Sequence, residues 1–310
     1  MPSLKISKNV AYVMMAVAAI TWSTSGTFTE LAIGEKAAVM QVTVFTYVFS
    51  AMILAPAILI LDPKSMRIDR KDLLPFFVFS LITGTFFAVA WYACVDLTGV
   101  ATAVILLYAY PSIVTVASVF FLKEKLTIQK TMALPLTFAG AVLVAGAQDL
   151  KEGLSFDIIG VALGIYTALS GAVYYIWGKK FLDKYSANTV ILYMTVLSIP
   201  LLVVIGFPFD LLSGSITTLG WVWIFLSGLI PGTIGFVVSM MALNHLEASR
   251  ASIVASIEPV AAVVIAYLVL AQDINGLQGL GVALVFLGVI LLRLTRRGSP
   301  EKPEEVVLDR

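Results

Sequence analysis

Residues 100–122 read VATAVILLYAYPSIVTVASVFFL and contain no charged side chain. A run of about 20 apolar residues is long enough to cross a hydrocarbon layer of about 30 Å as an α-helix. Pro111 lies near the middle of this run, and a proline inside a helix removes one N–H donor and bends the helix. The segment therefore predicts a membrane-spanning helix with a bend near its centre.

Nine further apolar runs of similar length occupy most of the chain. They cover residues 10–31, 39–61, 73–95, 131–147, 158–178, 189–207, 221–243, 251–270 and 277–294. They do not show the alternation of apolar and polar residues that is typical of strands in an outer-membrane barrel. Together with residues 100–122 they predict an all-α integral membrane protein with ten transmembrane helices.

The composition excludes a soluble two-domain enzyme. Of the 310 residues, 60% are hydrophobic and 13% are charged, and the mean hydropathy is +0.99. A soluble domain is about 45–50% apolar and about one quarter charged. The expected surroundings of this chain are therefore a lipid bilayer.

The charged and metal-binding residues exclude further classes of function. With 20 Lys and Arg against 19 Asp and Glu, the chain has no bulk field that would attract a nucleic acid. Cys94 and His245 are its only cysteine and its only histidine, which gives poor support to a zinc site, a haem site or Cys–His catalysis. We expect no cofactor and no metal, and a small-molecule substrate as the partner.

The basic residues between the runs indicate the orientation, because Lys and Arg in short loops stay on the cytoplasmic side. With the N-terminus in the cytoplasm, only Lys36 and Lys151 of the 20 basic residues fall in outside segments. We therefore predict both termini in the cytoplasm and a multi-pass protein of the inner (plasma) membrane. Residues 297–310 have nothing to bury, which predicts a mobile cytoplasmic tail.

The two halves of the chain resemble each other at a shift of 148 positions. The shift pairs Ala103 with Ala251, Pro111 with Pro259, and Gly140 with Gly288. It predicts a first repeat at residues 1–150 and a second at residues 151–296. Five spans are an odd number, so the second repeat enters the membrane inverted. Inverted repeats are typical of secondary transporters, which bind their substrate near the midplane between the repeats.

Four short stretches carry a resemblance to a known family. They are residues 107–115 (LYAYPSIVT) and 122–129 (LKEKLTIQ), and their second copies at residues 257–262 (IEPVAA) and 268–273 (LVLAQD). They resemble the signature that closes each half of EamA-type members of the drug/metabolite transporter superfamily. Where that family usually has a Glu after the ninth span, this chain has Gln272 followed by Asp273. The aromatic content is similar to that of the YddG-like exporters of aromatic and other neutral amino acids.

Three residues inside the spans are candidates for the transport path. Pro111 and Pro259 occupy matched positions, which predicts two hinges, although a static kink for packing is the alternative. Glu258 lies inside the ninth span, where a carboxylate should face the bundle interior. It could take up a proton, bind the ammonium group of a substrate, or pair with Arg250 two turns earlier on the same helix face.

Aromatic and hydroxyl side chains near the middle of the spans predict a substrate pocket. A buried Tyr or Trp still has a polar group to satisfy, and its ring can stack on another ring or hold a cation. For each residue alone, core packing or lipid contact is the alternative. The predicted substrate-binding residues are Trp22, Trp91, Tyr92, Tyr108, Tyr110, Tyr166, Ser239 and Ser256.

These features favour a secondary transporter that exports small metabolites by alternating access, with amino acids, including aromatic and neutral ones, as the favoured substrates. Other metabolites and cationic drugs are alternatives within the same class. A membrane enzyme for lipid-linked substrates would need paired acidic or His-containing metal motifs, and Asp69 and Asp72 are too isolated to form one. A sensor or scaffold would need a signalling domain. The chain lacks the GxxxxGK[ST] motif, so ATP does not drive it directly.

Overall fold

The computed structural model describes residues 6–146, 157–206, 211, 214, 216–270 and 274–293. All regular structure in these residues is helical, as thirteen α-helices, two π-helical segments and two short 3₁₀ turns. The all-α prediction is confirmed for this part of the chain. The predicted tail at residues 297–310 and the residues Gln272 and Asp273 lie outside the described residues.

In its described residues the first half of the chain forms six α-helices, and the third and fourth are parts of one helix that a short π-helical segment interrupts. They are α1 (Lys8–Gly34), α2 (Val39–Leu61), α3 (Leu73–Ser80), α4 (Phe86–Leu107), α5 (Tyr110–Phe121) and α6 (Ile128–Gly146).

The second half repeats this order with seven α-helices in the described residues. They are α7 (Ile158–Leu182), α8 (Ala187–Gly206), α9 (Thr218–Leu229), α10 (Phe236–His245), α11 (Ala248–Ala255), α12 (Glu258–Leu270) and α13 (Gly276–Arg293).

Eight helical stretches within the described residues are long and apolar enough to cross a membrane. Two shorter apolar helices, Tyr110–Phe121 and Gly276–Leu292, accompany them. One of the eight, Arg70–Leu107, has 38 residues and would be about 57 Å long if it were straight, which exceeds the thickness of a bilayer core. Gly99 interrupts it with φ 79° and ψ 162°, a left-handed conformation that a glycine adopts without steric strain.

The predicted fourth and ninth spans are both broken near their middles. Helix α4 ends at Leu107 and α5 begins at Tyr110; likewise α11 ends at Ala255 and α12 begins at Glu258. The sequence predicted a bend in each helix, and at both matched positions the structure interrupts the helix with a turn of two residues. Each proline follows its break directly, in the first turn of the new helix, where its missing N–H has no helical partner to lose.

Two π-helical segments also occupy corresponding positions in the two halves. Leu81–Thr85 joins α3 to α4, and Ile230–Gly235 joins α9 to α10. A π-helical turn widens the helix and frees a carbonyl group, and such turns are frequent at functional sites. The freed carbonyl of Ile82 accepts hydrogen bonds from the Tyr166 hydroxyl at 3.1 Å and from Ser170 Oγ at 2.8 Å.

The two halves pack against each other in a symmetric way. Helix α1 lies against α9 and α10, and its counterpart α7 lies against α4. Helices α6 and α13, the last of each half, form the most extensive helix pair of the bundle. The arrangement fits a fold of two repeats. The end of the bundle that carries Lys130, Lys179, Lys184 and Arg250 is called the basic end below.

Candidate functional site

Six aromatic side chains form a continuous cluster in the middle of the bundle. They come from α1, α5, α7, α10 and the break after α4, so both halves contribute. We call this the central aromatic cluster, and its members are Trp22, Tyr108, Tyr110, Tyr174, Tyr175 and Phe236.

The rings of the cluster contact one another in a chain. The Trp22 ring centroid lies 5.3 Å from that of Phe236 and 6.3 Å from that of Tyr174. Tyr174 packs edge-on against Tyr175 at 5.3 Å.

The chain of rings continues into the first half of the protein. Tyr175 stacks on Tyr110 at 5.7 Å with an interplanar angle of 6°, and Tyr110 lies 5.9 Å from Tyr108. An aromatic wall of this kind can stack on a planar solute or hold a cation against its π-faces.

Glu258 lies at one end of this wall. It is half-buried and occupies the first turn of α12, where the positive end of the helix dipole favours a carboxylate. The Tyr108 side chain interacts directly with the Glu258 carboxylate, and Tyr110 and Tyr175 are near enough to feel its charge. The arrangement places one carboxyl group beside several rings.

Two polar groups of the cluster are buried without a hydrogen bond of normal length and geometry within the described residues. They are the indole Nε1 of Trp22 and the hydroxyl of Tyr175. Leaving a buried donor unpaired costs about 1–3 kcal/mol. By contrast, the Tyr174 hydroxyl is paired with Ser239 Oγ at 2.6 Å. The two unpaired groups are therefore available to a bound molecule that offers an acceptor.

The pair between Arg250 and Glu258, one of the three alternatives for this carboxylate, is not formed in the structure. Arg250 binds Glu247 through its Nε at 2.7 Å, and the Tyr12 hydroxyl and the Leu292 carbonyl through its terminal nitrogen at 3.1 and 3.0 Å. The prediction assumed one continuous helix, which would place both side chains on one face. The break between α11 and α12 removes that helical register.

The cluster contains three of the predicted aromatic residues and contacts one predicted hydroxyl. Trp22, Tyr108 and Tyr110 are members, and Ser239 is bonded to one member. Ser256 is buried at the break between α11 and α12.

The other predicted residues lie elsewhere. Tyr92 packs against a separate apolar group that includes Met40 and Leu202, and Trp91 is half-buried on α4. Tyr166 is bonded to the π-helical segment that follows α3.

Sequence reasoning missed Tyr174, Tyr175 and Phe236. A signal was present in the first case, because Tyr166, Ser170 and Tyr174 are spaced by four residues and so lie along one face of a helix. Tyr175 is only four residues from Lys179 in the last turn of α7, and this short separation from a basic residue concealed the depth of Tyr175 in the bundle. Phe236 carries no polar group that would distinguish it from other core residues.

The part of the chain that the structure describes contains no group of three or more His, Cys, Asp or Glu side chains that could hold a metal ion. The site is thus made of rings, one carboxylate and hydrogen-bond donors. These groups can bind and orient a small organic molecule.

Comparison with known proteins agrees with this architecture. The pattern of the EamA-like transporter family matches residues 9–146 and 158–294. An uncharacterized transporter of Archaeoglobus fulgidus is 29% identical over 73% of this chain and 77% of its own length. The Bacillus subtilis protein YoaV, also named an uncharacterized transporter, is 29% identical over 77% of this chain and 82% of its own length.

A further relative and one solved structure span almost the whole chain. An uncharacterized transporter of Clostridium kluyveri is 24% identical over 90% of this chain and 92% of its own length. One crystal structure superposes with a TM-score of 0.80 over 93% of this chain and 98% of that chain, at 19% identity, which shows a shared fold. The chain belongs to the EamA-like transporter family and is a multi-pass transporter of the cell membrane.

Proposed function

We propose that this transporter exports small metabolites, foremost amino acids including aromatic and neutral ones, by alternating access through the central aromatic cluster. One observation carries the proposal. The cluster joins side chains of both halves around Glu258, at the level where the two broken helices restart. In transporters with inverted repeats, substrate sites lie at such interrupted helices between the repeats.

The chemistry of the cluster matches the parts of an amino acid. The Glu258 carboxylate binds the ammonium group. The Trp22 N–H and the Tyr175 hydroxyl, both unpaired, donate to the carboxylate of the substrate. The rings of Tyr108 and Tyr110 then contact its side chain, and an aromatic side chain gains most from this contact.

The topology that we propose has ten crossings with both termini in the cytoplasm. Division of the 38-residue stretch Arg70–Leu107 at Gly99 gives the third crossing and the first part of the fourth. Helix α5 completes the fourth crossing and α13 forms the tenth. The basic end is then cytoplasmic, in agreement with the distribution of Lys and Arg.

The breaks before Pro111 and Pro259 act as hinges in the proposed cycle. Each separates a half-helix on the basic side from one on the opposite side, so one end of the path can open while the other stays closed. Protons compete with the ammonium group for Glu258, which couples flux to a proton gradient.

A second substrate class has one observation in its favour. A single carboxylate beside several rings also suits a lipophilic organic cation, such as a cationic drug, which needs no partner for Trp22 or Tyr175. The two classes differ in the acceptor group that an amino acid offers and a simple cation lacks.

The proposed function is tested by uptake into proteoliposomes. Labelled neutral, aromatic and basic amino acids and a lipophilic cation are supplied with and without an imposed proton gradient. Saturable uptake of neutral or aromatic amino acids that responds to the gradient is expected. Uptake of the cation alone would show that the protein transports lipophilic cations and not amino acids. If neither solute is transported, both proposed substrate classes are excluded.

A further inference from the structure

A network of charged groups, buried at Glu124 and Lys130 and partly exposed at its other members, joins the two halves at the basic end. It lies in the loop between α5 and α6, at the start of α6, and at the N-terminus of α11. Its members are Glu124, Lys130, Glu247 and Arg250. None of them belongs to the central aromatic cluster.

Glu124 binds the N-terminus of α11 directly. Its carboxylate accepts hydrogen bonds from the backbone N–H of Ala248 at 2.6 Å, from the backbone N–H of Ser249 at 3.3 Å, and from the Ser249 hydroxyl. The first N–H groups of a helix have no partner within the helix, and a carboxylate satisfies both their hydrogen bonds and the helix dipole. A residue of the first half therefore caps a helix of the second half.

Lys130 holds this carboxylate in place. Its side chain is 1% exposed, and its ammonium group lies 3.3 Å from Glu124 and 3.2 Å from Glu247. The same nitrogen donates to the Lys125 carbonyl at 2.9 Å. Glu247 in turn binds Arg250. Removal of one partner would leave a buried charge uncompensated, so the members of the network depend on one another.

Among the described residues at the opposite end of the bundle, the counterparts of Lys130 and Glu247 carry no charge. The repeat shift of 148 positions pairs Lys130 with Gln278 and Glu247 with Gly99. Gln278 is a neutral residue that donates to the Val144 carbonyl at 3.4 Å. Within the described residues, the pairing of Lys130 with Glu124 and Glu247 therefore has no counterpart at the other end.

Packing of the broken helices follows the same asymmetry. On the basic side, α5 packs directly against α11. On the opposite side, α4 and α12 share no comparable packing among the described residues. The half-helices of the basic side are therefore in contact, whereas those of the opposite side are apart.

We propose that Glu124 is a gating residue that holds the basic end closed. While its carboxylate caps α11, the half-helices α5 and α11 stay together, and a solute in the central cluster reaches only the opposite side. Release of Glu124 from Ala248 and Ser249 opens the basic end. The inference uses the proposed alternating-access cycle and does not depend on which solute is carried.

The test measures the accessibility of two matched reporter positions. Ala251 on α11 and Ala103 on α4 are paired by the repeat, and both are 0% exposed. Each is changed to cysteine, Ala251→Cys or Ala103→Cys, in a Cys94→Ser background. The rate of labelling by a polar maleimide is then measured with Glu124 intact, with Glu124→Gln and with Glu124→Ala.

We expect Glu124→Ala to raise the labelling rate of Ala251→Cys about tenfold, with a smaller increase for Glu124→Gln, whose amide oxygen can still accept one hydrogen bond. The rate at Ala103→Cys stays unchanged. Asp69→Asn is the control, because Asp69 belongs to a separate ion pair with Lys184 at the same end and is 57% exposed. It changes neither rate.

Two results would overturn the proposal. An unchanged rate at Ala251→Cys in both Glu124 variants would show that Glu124 does not hold the basic end closed. An equal increase at Ala251→Cys and Ala103→Cys would show general loosening of the fold. Because labelling needs no substrate, failure of this test is distinguishable from failure of the proposed amino-acid transport.

Discussion

Gly140 and Gly281 approach each other so closely that a Cβ atom added at either would lie 2.7 Å from the carbonyl oxygen of the other. They lie on α6 and α13. The repeat pairs Gly140 with Gly288, and a Cβ atom at Gly288 would lie 3.1 Å from the Ala133 carbonyl oxygen on α6. The contact thus recurs with the roles of the two helices exchanged, as a pseudo-twofold axis between them requires.

We predict that Gly140→Ala destabilises the protein by about 1–3 kcal/mol, because the added methyl group collides with backbone and with Val285. Gly279→Ala on α13 is the matched control, since a Cβ atom there meets nothing within 4 Å. It should leave stability unchanged or raise it by up to about 1 kcal/mol. Thermal unfolding in detergent measures both, and equal melting temperatures would contradict the close approach.

Tyr175→Phe should separate substrate binding from stability. The Tyr175 hydroxyl has no hydrogen bond of normal geometry, so its removal should leave the stability unchanged or raise it by up to about 1 kcal/mol, while the KM for an amino acid rises. Tyr193→Phe is the control, because its hydroxyl donates to the Met66 carbonyl at 2.9 Å. It should lose about 1 kcal/mol of stability with no change in KM. If Tyr175→Phe leaves KM unchanged and Tyr193→Phe raises it, Tyr175 does not belong to the binding site.

Glu258→Gln should reduce the uptake of ammonium-bearing solutes at least about tenfold, because it removes the one carboxylate beside the rings. The response of uptake to a proton gradient should disappear with it. Glu30→Gln, at an exposed carboxylate of α1, should transport normally. A Glu258→Gln protein that folds and retains both flux and gradient response would exclude the coupling role.

The network at the basic end should depend on pH in one direction. Burial alone would raise the pKa of Glu247, but the charge of Lys130 and the hydrogen bond from Arg250 outweigh it and lower the pKa below 4.5. The stabilisation by the Glu247 carboxylate is therefore complete above about pH 4.5 and is lost as the pH falls through the lowered pKa.

Melting temperatures of the wild type and of Glu247→Gln, measured from about pH 4 to pH 8, check this prediction. The wild type should be the more stable protein by a constant margin at neutral pH, and the margin should shrink in acid. A margin that widens as the pH falls would mean that the pKa of Glu247 is raised instead.

The helices could be predicted from the sequence because each apolar run is long enough to cross the membrane and polar loops separate the runs. The positions of both central breaks were also indicated, since Pro111 and Pro259 occupy matched positions near the middle of their apolar runs and each removes one helical hydrogen bond. The conformation of Gly99 was not, because Gly99 lies in the short connection between two predicted spans, residues 73–95 and 100–122, where a glycine can adopt many backbone conformations.

The site was less predictable than the fold for a physical reason. Depth along a helix follows from the sequence, but rotation about the helix axis depends on packing. Tyr92 has a suitable depth and yet packs against Leu202. Arg250 shares a helical face with Glu258 only if the helix is continuous. Tyr175 could be assigned to the site only from the structure, which shows its ring stacked on that of Tyr110.

The most direct test that the central aromatic cluster binds the substrate uses three solutes, each of which contains one phenyl ring. Phenylalanine carries an ammonium and a carboxylate, phenethylamine only the ammonium, and 3-phenylpropionate only the carboxylate. Each is used to compete with the binding of labelled phenylalanine to the purified protein, to Glu258→Gln and to Trp22→Phe.

We expect phenylalanine to compete best with the wild type. Trp22→Phe should weaken the binding of phenylalanine more than that of phenethylamine, since the loss of ring area affects both solutes and the loss of the N–H that binds the carboxylate affects phenylalanine alone. Glu258→Gln should weaken the binding of phenylalanine and phenethylamine, which both carry an ammonium group, and strengthen the binding of 3-phenylpropionate. If neither variant changes the order of the three solutes, the central aromatic cluster is not the substrate site.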